Sequence, residues 1–196
     1  MFHIYHASLQ DLPPLAKLEA CASPERLAAS RRFRFPEPRL RSLAAGWLLH
    51  RAFGAREYLR NEWGKPYLPG GPHFNLSHSG DRVMLVVSDA PCGCDIERRR
   101  PDRDLAGLAR HCLHPGALAD FERLGATPEL FYRFWTLGES YMKGVGKGFA
   151  LPPRAFRHSP EAPYPLLESA EPGFADWSFQ VGEEIPGYTY AIALHS

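Results

Sequence analysis

The sequence predicts an α+β fold in two lobes of similar size. Three observations lead there. Strand-like and helix-like patterns occur in both halves of the 196 residues. The strands cluster instead of alternating strictly with helices, unlike a doubly wound sheet. A run of charge and proline, Arg98-Arg99-Arg100-Pro101-Asp102-Arg103, lies between the halves. The expected division is therefore residues 1–100 and residues 101–196.

The first lobe opens with Phe2–Ala7, whose apolar and polar residues alternate as in a half-buried strand. Leu12–Ala20 reads as a short helix. Ser23-Pro24-Glu25 is a helix start, with serine as cap and proline at the first helical position. From Pro38 to about Phe53, Leu40, Leu43, Ala44, Trp47 and Leu48 recur at helical spacing, so one face is apolar and the other basic. Gly64-Lys65-Pro66 and Pro69-Gly70-Gly71-Pro72 mark turns. Phe74–Leu76, Val83–Val87 and Cys92–Ile96 read as strands, the last two joined by a turn at 88–91. In the second lobe, Asp104–His111 and Pro115–Leu124 read as helices. Thr127-Pro128-Glu129 caps the longest helix, Glu129–Lys143, which Gly144, Gly146 and Gly148 end. Residues 152–173 are proline-rich and read as irregular. Trp177–Val181 and Tyr188–Leu194 are strands.

Hydrophobic residues are 44% and charged residues 23%, which excludes collagen, coiled coil and wholesale disorder. Cys21, Cys92, Cys94 and Cys112 contain no CxxC pair. They suit neither a disulfide framework nor a zinc site and read as buried hydrophobes in a reducing compartment. The N-terminus lacks the pattern of a signal peptide, and no apolar run approaches the ~18 residues of a membrane span. A cytoplasmic protein with no membrane association is expected. The net charge of +1 hides a gradient. Residues 26–60 hold nine basic side chains against two acids, whereas residues 158–196 hold six acids and no Lys or Arg. Such a belt meets phosphates or an acidic partner, or simply solvates a helix face. No zinc-finger, RNP or basic-zipper pattern points to nucleic acid. Only four of the 23 basic residues are lysines, namely Lys17, Lys65, Lys143 and Lys147.

Three segments have chemical potential. Phe74-Asn75-Leu76-Ser77-His78-Ser79-Gly80 ends a strand in small polar residues. Its hydroxyls, N–H groups and imidazole suit a phosphate, or an ordinary hydrogen-bonded turn. In Gly93-Cys94-Asp95-Ile96-Glu97, the i, i+2 spacing on a strand puts both carboxylates on one face. A hard cation such as Mg²⁺ relieves their repulsion, as does neutralisation by Arg98–Arg100. On the long helix, Trp135, Glu139 and Lys143 follow at i, i+4, i+8 and form one stripe. That stripe is a solvated ion pair, or it brings a third acid and a phosphate-binding cation to the other two.

Together these segments resemble the 4′-phosphopantetheinyl transferase superfamily, in its longer, Sfp-like single-chain class. The family pattern is a Gly-x-Asp-x-Glu strand, then Trp-x-x-Lys-Glu-(Ser/Ala)-x-x-Lys on a helix some 40 residues on. Gly93–Glu97 and Trp135–Lys143 carry it here, preceded by Gly64–Leu68, Phe74–Gly80 and the stretch from Ser23 to Ser42. The resemblance implies an intramolecular pseudo-dimer of two α+β lobes, monomeric, with its site at the lobe interface. It implies Mg²⁺-dependent transfer of the 4′-phosphopantetheine arm of coenzyme A to a serine of an acyl or peptidyl carrier protein, releasing 3′,5′-ADP. Asp95, Glu97 and Glu139 would hold Mg²⁺. Glu139 or a metal-bound water would be the base, and Lys143 would neutralise the departing phosphate. Arg41, Ser42, Lys65, Ser77 and His78 would hold the phosphates and adenine side of coenzyme A. One position departs: Gly138 stands where the family has its first motif lysine. Gly138→Lys is expected to keep or lower the KM for coenzyme A. The alternatives are a weakened member that binds coenzyme A or carrier protein without transfer, and an unrelated Mg²⁺-dependent nuclease or nucleotidyl transferase.

Overall fold

In the computed structural model, which describes residues 1–196, the alternating N-terminal segment is β1 (Phe2–Ser8). Two short helices follow, α1 (Leu15–Cys21) and α2 (Pro24–Ser30). Ser23 caps α2 by accepting a hydrogen bond from the Arg26 N–H at 3.2 Å. Helix α3 (Pro36–Phe53) begins two residues before the periodicity indicates. Proline at its first position loses no helical hydrogen bond, since that N–H has no partner in any helix. The expected turn at 64–66 closes the loop of a small hairpin, β2 (Leu59–Arg60) and β3 (Pro66–Tyr67), and the one at 69–72 follows it.

Strands β4 (His73–Ser79), β5 (Arg82–Ser88) and β6 (Cys92–Arg98) complete the first half and cross into the second. Strand β4 runs three residues beyond the expected Leu76, because cross-strand pairing with β5 overrides the turn-like Ser-His-Ser composition. Helices α4 (Leu105–Cys112), α5 (Pro115–Arg123) and α6 (Pro128–Val145) follow. The proline-rich stretch, expected to be irregular, contains β7 (Phe156–His158) and β8 (Leu166–Ser169), which pair with each other. Strands β9 (Trp177–Gly182) and β10 (Tyr188–His195) finish the chain. No helix is long and apolar enough to cross a membrane.

The fold is α+β, with two three-stranded antiparallel sheets ordered β1-β5-β4 and β6-β10-β9. Both have the same connectivity: a first strand, a helix packed on the sheet, then a hairpin whose last strand takes the centre. The alternation along β5 sorts the core. Val83 and Leu85 pack with Ala44, Leu48 and Leu49 of α3. Met84 and Val86 pack with Cys92, Cys94 and Ile96 of β6 and with Ile192 of β10. On the far side, Ala191 and Ala193 of β10 pack with Leu137 and Tyr141 of α6. The layers run α3, first sheet, second sheet, α6.

Candidate active site

Helix α6 lies on β6 because two glycines let it. An ideal Cβ on Gly93 would stand 2.0 Å from the Ser140 carbonyl oxygen and 2.3 Å from the Gly144 nitrogen. A Cβ on Gly144 would meet the Trp177 ring at 2.5 Å. Any side chain at Gly93 pushes the helix off β6, and one at Gly144 displaces the Trp177 ring. Thr127 starts the helix by accepting from the Leu130 N–H, and Gly146, in the left-handed conformation, ends it. The stripe carrying Glu139 and Lys143 thereby faces the Asp95–Glu97 side of β6, while Cys92, Cys94 and Ile96 point into the core between the sheets.

At this junction Lys143 Nζ donates to Asp95 Oδ1 at 2.6 Å and to Ser77 Oγ at 3.2 Å. The Ser77 hydroxyl donates to the same carboxylate oxygen at 2.8 Å. Asp95 is 3% exposed, and its Oδ2 is buried without a hydrogen-bond partner. Ser79 donates to Glu97 Oε2 at 2.6 Å. Glu139 is half-buried. Burial, then the charges of Asp95 and Glu97, push its carboxyl up to about 7, with Lys143 opposing. Burial and the charge of Asp95 likewise raise Glu97. For Lys143, burial opposes the charged form, but the charge and hydrogen bond of Asp95 outweigh it and hold the ammonium above its usual value. The site is thus a cluster of three acids that repel one another, with one cation bound to the most buried. No three His, Cys, Asp or Glu side chains are already gathered as a metal site, so the expected Asp95, Glu97 and Glu139 are neighbours whose oxygens do not yet meet at one point.

Other expected residues are distributed around this cluster. His78 is exposed at the rim of the cluster, and partial desolvation of its ring, then the charges of Arg41 and Lys143, lower its pKa. Arg41 donates to the Gly80 carbonyl at 2.9 Å and pairs with Glu37 at 3.3 Å. Ser42 lines a separate cleft of about 100 Å³ with Arg26, Tyr58, Arg60 and Pro66. Lys65 is not at the acids. Its ammonium donates to the Cys92 and Gly144 carbonyls at 3.0 and 2.9 Å, tying the β2–β3 hairpin to β6 and to the end of α6. Burial lowers its pKa. Asn61 adds a bond to the Gly146 carbonyl at 2.9 Å, so both groups satisfy carbonyls that a helix end leaves open. Asn61 and the cleft between Arg26 and Arg60 lie outside the expectations drawn from the sequence, which include Ser79 only as a hydroxyl suited to a phosphate. Ser79 alone had a signal, since it stands i+2 from Ser77 on the same strand face. Gly138 is buried, and a Cβ there would meet the Phe156 ring at 3.3 Å.

A paired-sheet α+β fold with acids and a lysine at the contact of strand and helix defines a class, and comparison with known proteins gives that class. The model of the 4'-phosphopantetheinyl transferase superfamily matches residues 91–194, and the chain belongs to this superfamily of enzymes. It is 30% identical over 187 residues to the 4'-phosphopantetheinyl transferase Sfp of Bacillus subtilis, covering 87% of this chain and 80% of that one. It is 34% identical over 170 residues to the 4'-phosphopantetheinyl transferase HetI of a Nostoc species, covering 76% and 70% respectively. Another Bacillus subtilis 4'-phosphopantetheinyl transferase is 32% identical over 157 residues, covering 71% and 67%.

Proposed function

We propose that this chain transfers the 4′-phosphopantetheine arm of coenzyme A to a serine of an acyl or peptidyl carrier protein. The observation that carries the reading is the contact of β6 with α6. It holds Glu139, with its pKa raised to about 7, beside the ion pair of Lys143 and Asp95. In the reaction, the serine oxygen bonds to the β-phosphorus of the coenzyme A pyrophosphate. The bond from that phosphorus to the bridging oxygen breaks, and 3′,5′-ADP leaves with the electron pair. The serine proton goes to a Glu139 carboxylate oxygen. The carboxylate form of Glu139, which a bound cation favours, suits that transfer as general base. Lys143 supplies a fixed cation where charge develops, and little reorganisation is needed because Asp95 and Ser77 already hold it.

Arg41 extends the positive surface from Lys143 toward the first lobe, and His78, its pKa lowered, adds a neutral hydrogen-bonding imidazole. The cleft of Ser42, Arg26 and Arg60 suits the nucleotide end of coenzyme A. We read Lys65 as acting there through the hairpin it anchors. The acids fit a hard divalent cation such as Mg²⁺: their donors are carboxylate oxygens, they repel one another, and Asp95 Oδ2 is buried without a partner. Asp95, Glu97 and Glu139 would hold it, and once bound it would neutralise pyrophosphate charge. The raised Glu139 value belongs to the site without a cation. The shared connectivity of the two sheets favours a monomeric pseudo-dimer whose second repeat begins with β6 (Cys92–Arg98), ahead of the expected boundary at residue 100, with this site between the two repeats.

The test is mass measurement of apo acyl and apo peptidyl carrier proteins incubated with the chain, coenzyme A and Mg²⁺. A gain of one phosphopantetheine on at least one carrier is expected. Unchanged mass on every carrier overturns the reading.

A further inference from the structure

Strand β6 is an edge strand of its sheet, so the N–H groups of Cys94, Ile96 and Arg98 have no backbone ladder to join. They are instead met by side chains of β4. Asn75 Oδ1 accepts from Cys94 at 2.9 Å, Ser77 Oγ from Ile96 at 3.2 Å, and Ser79 Oγ from Arg98 at 3.1 Å. Donors and acceptors both advance by two residues, the period of a strand, so one register sets all three bonds. A serine hydroxyl has one proton and two lone pairs. With one lone pair taken by a β6 N–H, the proton of each serine goes to the carboxylate one residue earlier on β6. Ser77 donates to Asp95 at 2.8 Å and Ser79 to Glu97 at 2.6 Å. The second lone pair of Ser77 accepts from Lys143 at 3.2 Å, so its oxygen is saturated, and the residue is only 6% exposed.

From this ladder we infer that Ser77 and Ser79 are positioning residues. They fix the direction of the Asp95 and Glu97 carboxylates toward the cation, and Ser77 does so in place of contacting the phosphates of coenzyme A. The inference rests on the transferase reading above, and its test separates the two. Ser79 is the better probe because it is half-buried and tolerates substitution more readily than Ser77. Binding of Mn²⁺ to the wild type, Ser79→Ala and Ser79→Thr is measured by calorimetry without substrates, beside the KM for coenzyme A and the melting temperature. Loss of a group that orients a metal ligand weakens metal affinity by about 10- to 100-fold. Ser79→Ala is expected to lose at least about tenfold in Mn²⁺ affinity, with Ser79→Thr restoring most of it. The KM for coenzyme A at saturating metal should stay within about twofold, since no phosphate contact is removed. Wild-type Mn²⁺ affinity in a folded Ser79→Ala overturns the inference, as does a raised KM for coenzyme A with Mn²⁺ affinity unchanged. So does a Ser79→Thr that binds Mn²⁺ no better than Ser79→Ala. A wild type that binds Mn²⁺ but modifies no carrier overturns the transferase reading instead.

Discussion

Gly93→Ala is expected to lift α6 off β6 and to disable the site from a position that touches no substrate. The added Cβ would begin 2.0 Å from the Ser140 oxygen, whereas ordinary contact begins at 3.4 Å, so the helix must move by about 1.4 Å. Both nearest obstacles, Ser140 O and Gly144 N, are helix backbone, so no side chain can rotate away. Overpacking of this kind costs about 1–3 kcal/mol, which for a chain of this size lowers Tm by about 2–12 °C. Glu139 and Lys143 ride on the same helix segment, and a misplacement of about 1 Å in a catalytic group costs on the order of 100-fold in rate. The assay pairs thermal unfolding with steady-state kinetics on coenzyme A and an apo carrier. The expected result is a lower Tm and a kcat reduced about 100-fold, with the KM for coenzyme A changed much less, because its proposed contacts lie mainly in the first lobe. Wild-type kcat in Gly93→Ala refutes the claim that this close approach sets the catalytic geometry. A Tm equal to wild type refutes the packing argument itself.

Three further outcomes follow from particular contacts. Lys65→Met keeps the buried stem but leaves the Cys92 and Gly144 carbonyls without their donor. Chemical denaturation should show a loss on the order of 2–4 kcal/mol, and an unchanged midpoint contradicts the tie between hairpin and helix. His158 is fully buried, and burial lowers its pKa from 6.5 to about 4. Below pH 6.5 the unfolded chain binds a proton that the folded chain refuses, so stability present above 6.5 is lost as pH falls toward about 4. The loss reaches about 3 kcal/mol at the lower end. His158→Leu should flatten that stretch of the stability profile, and an identical slope in the variant contradicts the assignment. Gly138→Lys must displace the buried Phe156 ring, since its Cβ alone stands 3.3 Å from it. The variant should melt below wild type, and Phe156→Ala should cost less stability in the Gly138→Lys chain than in the wild type, since the ring it removes is the displaced one. A melting temperature at or above wild type contradicts this reading, and the KM for coenzyme A, expected to hold or fall, is read on the same proteins.

The fold and the acid cluster were legible where local periodicity and tertiary structure agree. The alternation at 2–7, the proline-led caps at Ser23 and Thr127, and the apolar face of α3 all place elements within a few residues of where they lie. The i, i+2 spacing of Asp95 and Glu97 and the helical spacing of Glu139 and Lys143 indicated which side chains share a face. Other features depend on contacts between distant segments. Strands β7 and β8 lie in a proline-rich stretch and exist through pairing with each other. The last residues of β4 look like a turn and are held extended by β5. Lys65 sits in a motif that suggests phosphate binding, yet its partners are carbonyls 27 and 79 residues away in sequence. Ser77 and Ser79 looked like free hydroxyls because the β6 N–H groups that occupy them lie across a junction of two sheets.

The most direct test measures 3′,5′-ADP released against carrier protein modified, for the wild type and for Glu139→Gln. Wild type should give equal amounts of both. Glu139→Gln should retain the wild-type fold and coenzyme A binding while giving neither product. A folded Glu139→Gln that modifies the carrier at the wild-type rate contradicts the account, as does a wild type that releases 3′,5′-ADP without modifying the carrier.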